Sequence, residues 1–186
     1  MKQTFLFLIL VFSYLAPAFA QGPENDAIKQ ASTERSSRQG VYLAGFGFVG
    51  SEVLHAKRYS FSEGIRLGGG ITEKFILYVE ANGSLVDQQA ALKNLLFFDG
   101  QIKGQFYLWK DLYLNLGGGV TIGRQQTAVV LLSKSKTGFG GSGGAGYEFR
   151  VGKKFFIAPE ASFRYRRLGG LSYLTPEIGG QLGWHF

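Results

Sequence analysis

Two stretches of this sequence space their glycines as G-x-G-x-x-G: Gly45, Gly47 and Gly50, then Gly138, Gly140 and Gly143. That spacing cradles a pyrophosphate when a strand enters it, a helix leaves it and an acidic residue follows about twenty positions later. Neither match is followed by a helical pattern. After Gly143 the chain runs Gly144-Ala145-Gly146-Tyr147-Glu148-Phe149, which keeps the two-residue alternation of a strand. No Gly-Lys-Ser/Thr ending supplies a phosphate-binding loop. Within strands, glycine allows sharp bending and close backbone approach, and the reading adopted is that these glycines belong to a curved sheet.

A second group could do acyl chemistry. His55 has Ser51, Glu52, Ser60, Ser62 and Glu63 close in sequence, the residue types of a base, a nucleophile and an orienting acid. A triad is defined by geometry rather than by nearness along the chain, so no catalytic residue is assigned. The chain has no cysteine and two histidines, His55 and His185, which are not spaced as a metal-ligand set. No metal and no cofactor is expected.

The elements that position these groups follow from length and pattern. Lys2, an apolar run from Phe5 to Leu15 and the triplet Ala18-Phe19-Ala20 have the order of a secretory signal peptide over residues 1–20. Residues 21–40 hold few large apolar side chains and are expected as a flexible periplasmic leader. From Val41 the chain divides into eight runs: Val41–Gly50, Ser60–Ile71, Phe75–Val86, Leu95–Trp109, Leu112–Gly123, Gly138–Arg150, Phe155–Arg166 and Leu174–Phe186. Tight turns (Thr72–Lys74, Lys110–Asp111, Val151–Lys154) alternate with longer loops (Ser51–Tyr59, Asp87–Asn94, Arg124–Thr137, Arg167–Tyr173). Alternating turn length is the layout of an antiparallel up-and-down barrel.

Side-chain parity gives each strand two unlike faces. In the fourth run Phe98, Ile102, Phe106 and Leu108 oppose Asp99, Gln101, Lys103 and Gln105; in the seventh, Ile157, Ala161, Phe163 and Tyr165 oppose Glu160, Ser162, Arg164 and Arg166. Aromatics gather at the strand ends, with Tyr59, Phe61, Phe97, Phe98 and Phe139 at one rim and Trp109, Phe149, Phe155, Trp184 and Phe186 at the other. Such girdles mark membrane interfaces. Alternation alone leaves open a soluble, lipocalin-like periplasmic binding barrel with its apolar face inside.

The chain ends in GGQLGWHF. A terminal phenylalanine, Phe186, with an aromatic, Trp184, two residues before it resembles the signal by which outer-membrane barrels are read by their assembly machinery. With the signal peptide and strand layout, residues 41–186 resemble the small eight-stranded bacterial outer-membrane β-barrel family. The resemblance implies an all-β transmembrane barrel in the outer membrane, the barrel-assembly machinery as a partner and a monomeric chain. Some barrels of this architecture modify lipid A, which makes His55 the centre of an enzyme alternative.

In that barrel the parity points Arg66, Lys103, Arg150, Arg164 and Arg166 inward, with Glu80, Asp99, Glu148, Glu160 and Glu177 facing them. Equal numbers suit a filled, charge-compensated lumen, because an unpaired charge out of water is costly, and eight strands leave room for side chains only. The first forty residues hold four of the 20 cations and three of the 13 anions, so the barrel carries 16 against 10. The surplus lies in the longer loops, at Lys57, Arg58, Lys93, Arg124, Lys134, Lys136 and Arg167. Cations beside a membrane attract anionic headgroups, so outer-membrane lipids and the phosphates of lipopolysaccharide are the expected contacts. No aromatic-interleaved basic groove supports nucleic-acid binding.

Overall fold

The computed structural model describes residues 38–54, 58–88, 93–127 and 135–186. The expected signal peptide and nearly all of the leader lie outside the described residues, as do His55, Lys57, Lys134 and the side chain of Lys93.

The strands are β1 (Gly40–Glu52), β2 (Arg58–Thr72), β3 (Phe75–Gln88), β4 (Lys93–Trp109), β5 (Leu112–Thr127), β6 (Lys136–Tyr147), β7 (Phe149–Val151), β8 (Phe155–Leu168) and β9 (Leu171–His185). Successive walls pair antiparallel, and β1 pairs with β9 from Tyr42↔His185 to Gly50↔Glu177, which closes the sheet on itself. β6 and β7 are one wall in two pieces. Both pair with β8 in a single register, Gly146↔Glu160 and then Phe149↔Ile157. The barrel therefore has eight antiparallel walls.

The interruption has a local cause. The Glu148 N–H donates to the Asp111 carbonyl at 2.9 Å, on the β5 side. Alternation then turns the backbone of Tyr147 toward β8, where the register sets Pro159 opposite it. Proline has no N–H to donate, so the ladder breaks there.

Most expected strands extend by two to four residues at the long-loop end. The last connection differs more. In place of a loop over Arg167–Tyr173, Leu168 pairs with Leu171 across Gly169-Gly170 alone. Both glycines have positive φ, 54° and 86°, as a two-residue hairpin turn of the strand-matching hand requires.

The outer face is apolar and the inner face polar. On β3, Ile76, Tyr78, Glu80, Asn82, Ser84 and Val86 are buried while Leu77 and Val79 are exposed. The interior is layered: Tyr42, Ile76, Tyr78, Tyr113 and Phe156 pack toward the short-turn end. Val86, Leu95, Phe97 and Leu168, with Tyr173 against them, pack toward the long-loop end. Hydrogen-bonded ions fill the level between. This inversion contradicts the soluble-barrel alternative, which needs its apolar face inside. Phe97, expected in a rim girdle, is 1% exposed and points inward, its ring 5.2 Å from that of Tyr173. It shares the parity of Asp99, so the girdle keeps Phe98 and loses Phe97.

Candidate functional site: the ionic interior and the rims

Glu80, on β3, is the hub of the interior. It accepts from Arg66 Nε of β2 at 2.9 Å, Lys103 Nζ of β4 at 3.3 Å and Arg164 Nη1 of β8 at 3.0 Å. Arg66 also forks onto Glu160, with Nη1–Oε2 2.8 Å and Nη2–Oε1 3.0 Å. Glu160 accepts the Tyr113 hydroxyl at 2.8 Å. Nearer the long-loop end, Arg166 binds Asp99 at 2.7 Å through Nη2 and lies 4.5 Å from the centroid of the Phe97 ring. Arg164 reaches Glu177 at 3.5 Å, and the Ser62 hydroxyl donates to Glu177 at 2.7 Å. The four cations Arg66, Lys103, Arg164 and Arg166 and the four carboxylates Glu80, Asp99, Glu160 and Glu177 are all buried. Planar guanidinium forks suit such a site because they satisfy several acceptors in fixed geometry.

The remaining expected pair lies apart, at the short-turn mouth. Arg150 Nε is 3.0 Å from Glu148 Oε1 and is half-buried. Glu148 also accepts the Tyr107 hydroxyl and lies 3.3 Å from His185 Nε2.

This mouth contains a residue that sequence reasoning assigned to the leader. Arg38 is buried, its guanidinium 3.6 Å from the Tyr107 ring centroid. Its Nη2 donates to Asp111 Oδ1 at 2.5 Å and to the Lys110 carbonyl at 3.1 Å, both in the β4–β5 turn, and its Nη1 to the Glu73 carbonyl at 3.3 Å. The segment before β1 thus crosses the mouth to turns of other walls. Composition around Arg38 is polar, so no sequence signal separates it from the residues before it.

Other glycines in the walls make room for these large inward groups. A Cβ at Gly117 would lie 2.3 Å from Lys103 Cγ, and one at Gly146 would lie 2.3 Å from the Tyr113 hydroxyl. Within the two G-x-G-x-x-G stretches the glycines differ: a Cβ at Gly50 would lie 2.3 Å from the Pro176 carbonyl oxygen and one at Gly140 2.6 Å from Thr121 Oγ1, whereas Gly47 has open space around it.

The residues grouped around His55 separate across the wall. Ser60 and Ser62 are buried inward, whereas Glu63 is exposed on the outer face. Glu52 is buried and accepts the Leu54 N–H at 2.9 Å. Among the described residues no cluster of three or more His, Cys, Asp or Glu could hold a metal ion.

Of the expected headgroup contacts, Arg124, Lys136 and Arg167 are exposed at the long-loop end of neighbouring walls. Arg124 and Arg167 have outward parity on β5 and β8. Lys136 opens β6 opposite Gly123, and it packs over the final hairpin, where a Cβ on Gly169 would meet its Cδ at 3.0 Å. Beneath them on the same walls lie exposed Val120, Ile122, Phe139 and Phe163. Arg58 is half-buried opposite Glu52 and has inward parity. Trp184 and Phe186 are outward and exposed. The Val41 and Phe186 backbones exchange hydrogen bonds at 3.2 and 2.9 Å, so the C-terminus forms part of the closing seam.

No protein-family model matches the sequence, and no curated protein matches it. Solved structures match the fold. Neisserial surface protein A superposes with a TM-score of 0.62 at 13% identity, over 79% of this chain and 97% of that one. Ail, the attachment invasion locus protein of Yersinia pestis, gives 0.52 at 16% identity, over 80% and 99%. A structure of Ail in complex with the heparin analogue sucrose octasulfate gives 0.50 at the same identity. The fold is that of the small eight-stranded outer-membrane β-barrels.

Proposed function

We propose that this chain is a non-enzymatic outer-membrane barrel with a plugged lumen, and that its long-loop rim engages lipopolysaccharide in a structural or surface-interaction role. The observation that carries the reading is the placement of Arg124, Lys136 and Arg167 at one edge of walls β5, β6 and β8, above an apolar outer band. Cations just above hydrocarbon meet the phosphates of a lipid whose acyl chains cover the band below. Glu63 faces out, across the wall from the inward Ser60 and Ser62, and the Ser62 hydroxyl donates to Glu177 of the interior network, which supports a role without catalysis. Trp184 and Phe186 are read as the signal for the barrel-assembly machinery.

The test is lipopolysaccharide retention. The mature protein, purified from outer membranes, should carry lipopolysaccharide by native mass spectrometry. The triple variant Arg124→Ala, Lys136→Ala, Arg167→Ala should lose most of it while keeping its fold. Equal retention by both would contradict the reading. Sucrose octasulfate, which Ail holds, is the competitor to include, because the same cations would attract a sulfated sugar; displacement at low concentration would favour a soluble polyanion as ligand. Planar bilayers should show no steady conductance, and an open pore would contradict the plug. Lipid A masses should be the same with the wild type and with His55→Ala.

A further inference from the structure

The short-turn rim carries cations of its own. Two of its turns join an acid to a lysine, Glu73-Lys74 between β2 and β3 and Lys110-Asp111 between β4 and β5. The acids are engaged at the mouth. Glu73 Oε2 accepts the Arg38 N–H at 3.3 Å, and Asp111 Oδ1 accepts from Arg38 Nη2 at 2.5 Å. Arg150 Nε lies 3.9 Å from the same Asp111 oxygen. Lys74 and Lys110 are exposed. Their turns are neighbours, because the Lys74 carbonyl accepts the N–H of Tyr107, three residues before Lys110, at 2.9 Å. Arg38 thus draws the acids of both turns to the mouth and leaves the lysines at the surface.

Aromatic side chains of the girdle set the height of the cations. Lys110 Nζ lies 5.3 Å from the centroid of the exposed Trp109 ring. Lys154, exposed in the turn before β8, places its Nζ 5.6 Å from the centroid of the exposed Phe186 ring. Aromatic belts sit where hydrocarbon meets headgroups, so ammonium groups resting on them lie at headgroup level. Lys110 reaches that place in a strained backbone. Its φ is 47°, and among the described non-glycine residues no other φ is positive. Glycine or asparagine adopts this conformation more readily, so the turn by itself does not ask for lysine. Such an outlier is a pointer to function. Below the two neighbouring turns Leu77, Phe106, Leu108 and Leu114 are exposed on the outer wall, a surface for acyl chains.

We propose that the short-turn rim binds anionic phospholipid of the periplasmic leaflet, with Lys74, Lys110 and Lys154 meeting the phosphates of phosphatidylglycerol headgroups. A zwitterionic headgroup brings an amine that the lysines repel, whereas a headgroup with a phosphate and no amine is attracted. The residue types divide accordingly. The planar fork of Arg38 holds acids that are fixed in the turns, and the flexible point charge of lysine suits a phosphate that moves with its lipid. A periplasmic polymer would be met best by cations projecting away from the wall. Lys110 and Lys154 instead fold back onto rings of the wall.

The inference rests on the membrane reading, and the experiment separates the two. The mature chain is placed in nanodiscs of phosphatidylethanolamine with a minor share of phosphatidylglycerol. Lipids that remain bound on release are counted by native mass spectrometry. Wild type should retain phosphatidylglycerol well above its share of the bilayer. Lys110→Gln should lower that preference by up to about fivefold, the effect of one cation at an anionic surface. Lys74→Gln, Lys110→Gln and Lys154→Gln together should abolish it. Lys110→Asn should lose as much as Lys110→Gln while unfolding at an equal or higher urea concentration, because asparagine tolerates the positive φ. The long-loop variant Arg124→Ala, Lys136→Ala, Arg167→Ala should keep the preference. Wild type carrying phosphatidylglycerol only at its bulk share would overturn the proposal, as would a preference that survives the triple lysine variant or is lost only with the long-loop one. Lysine-dependent sedimentation with purified peptidoglycan, without lipid preference, would give these cations to the cell-wall polymer and overturn it too. A wild-type chain that fails to insert at all would instead contradict the membrane reading.

Discussion

Glu80 is the side chain on which the middle of the barrel turns, because three cations from three walls converge on it. Replacing it with alanine leaves those cations buried with fewer acceptors, and breaking one partner of a buried pair costs about 3–5 kcal/mol. Glu80→Ala should therefore lower the unfolding free energy by that amount, read from urea titrations of the refolded protein; an unchanged midpoint would contradict a tightly coupled network. Glycine offers a sharper contrast. Gly117→Ala would force a methyl group to within 2.3 Å of Lys103 Cγ and should cost about 1–3 kcal/mol by overpacking. Gly47→Ala, on the outer face with open space around it, should shift the same midpoint little. If the two substitutions behave alike, inward glycines are not there to admit large side chains.

At the scale of elements, the mouth latch and the broken ladder are the features with consequences. Arg38→Ala removes the bonds that tie the segment before β1 to the β4–β5 turn, so amide exchange should speed up at Asp111 and Glu148, whose N–H bonds to the Asp111 carbonyl. Exchange confined to the wild-type rate would mean the turn is held by its own hairpin. Pro159→Ala returns a donor opposite Tyr147 and should stabilise the β7–β8 edge by about 0.5–1.5 kcal/mol. Much of this architecture was legible in the sequence, because a period of two writes both faces of a strand at once: the facing of Glu80, Asp99, Lys103, Glu160, Arg164 and Arg166 followed from parity alone. The misses have physical reasons. Phe97 and Phe98 are adjacent aromatics of opposite parity: nearness to the rim grouped them, whereas the parity Phe97 shares with Asp99 already set it inward. Gly169-Gly170 reads as a flexible loop until the register shows that two residues suffice. Arg38 is held by turns distant in sequence, which local polarity does not reveal.

The whole molecule is inverted, with charges inside, a hydrocarbon-like surface outside and cations at the long-loop rim. The layered interior leaves Trp109 and Trp184, the two tryptophans of the chain, both exposed on the outer face toward the short-turn end. No tryptophan is inside to confuse the signal. That makes fluorescence quenching by lipids brominated along their acyl chains the most direct measurement. Reconstituted in such lipids, the protein should lose most of its tryptophan emission relative to unbrominated bilayers, with deeper quenching when bromine lies near the headgroup end of the chain. Emission unchanged by brominated lipid, from folded protein, would put both rings out of contact with hydrocarbon and contradict the outward-facing apolar wall on which the account depends.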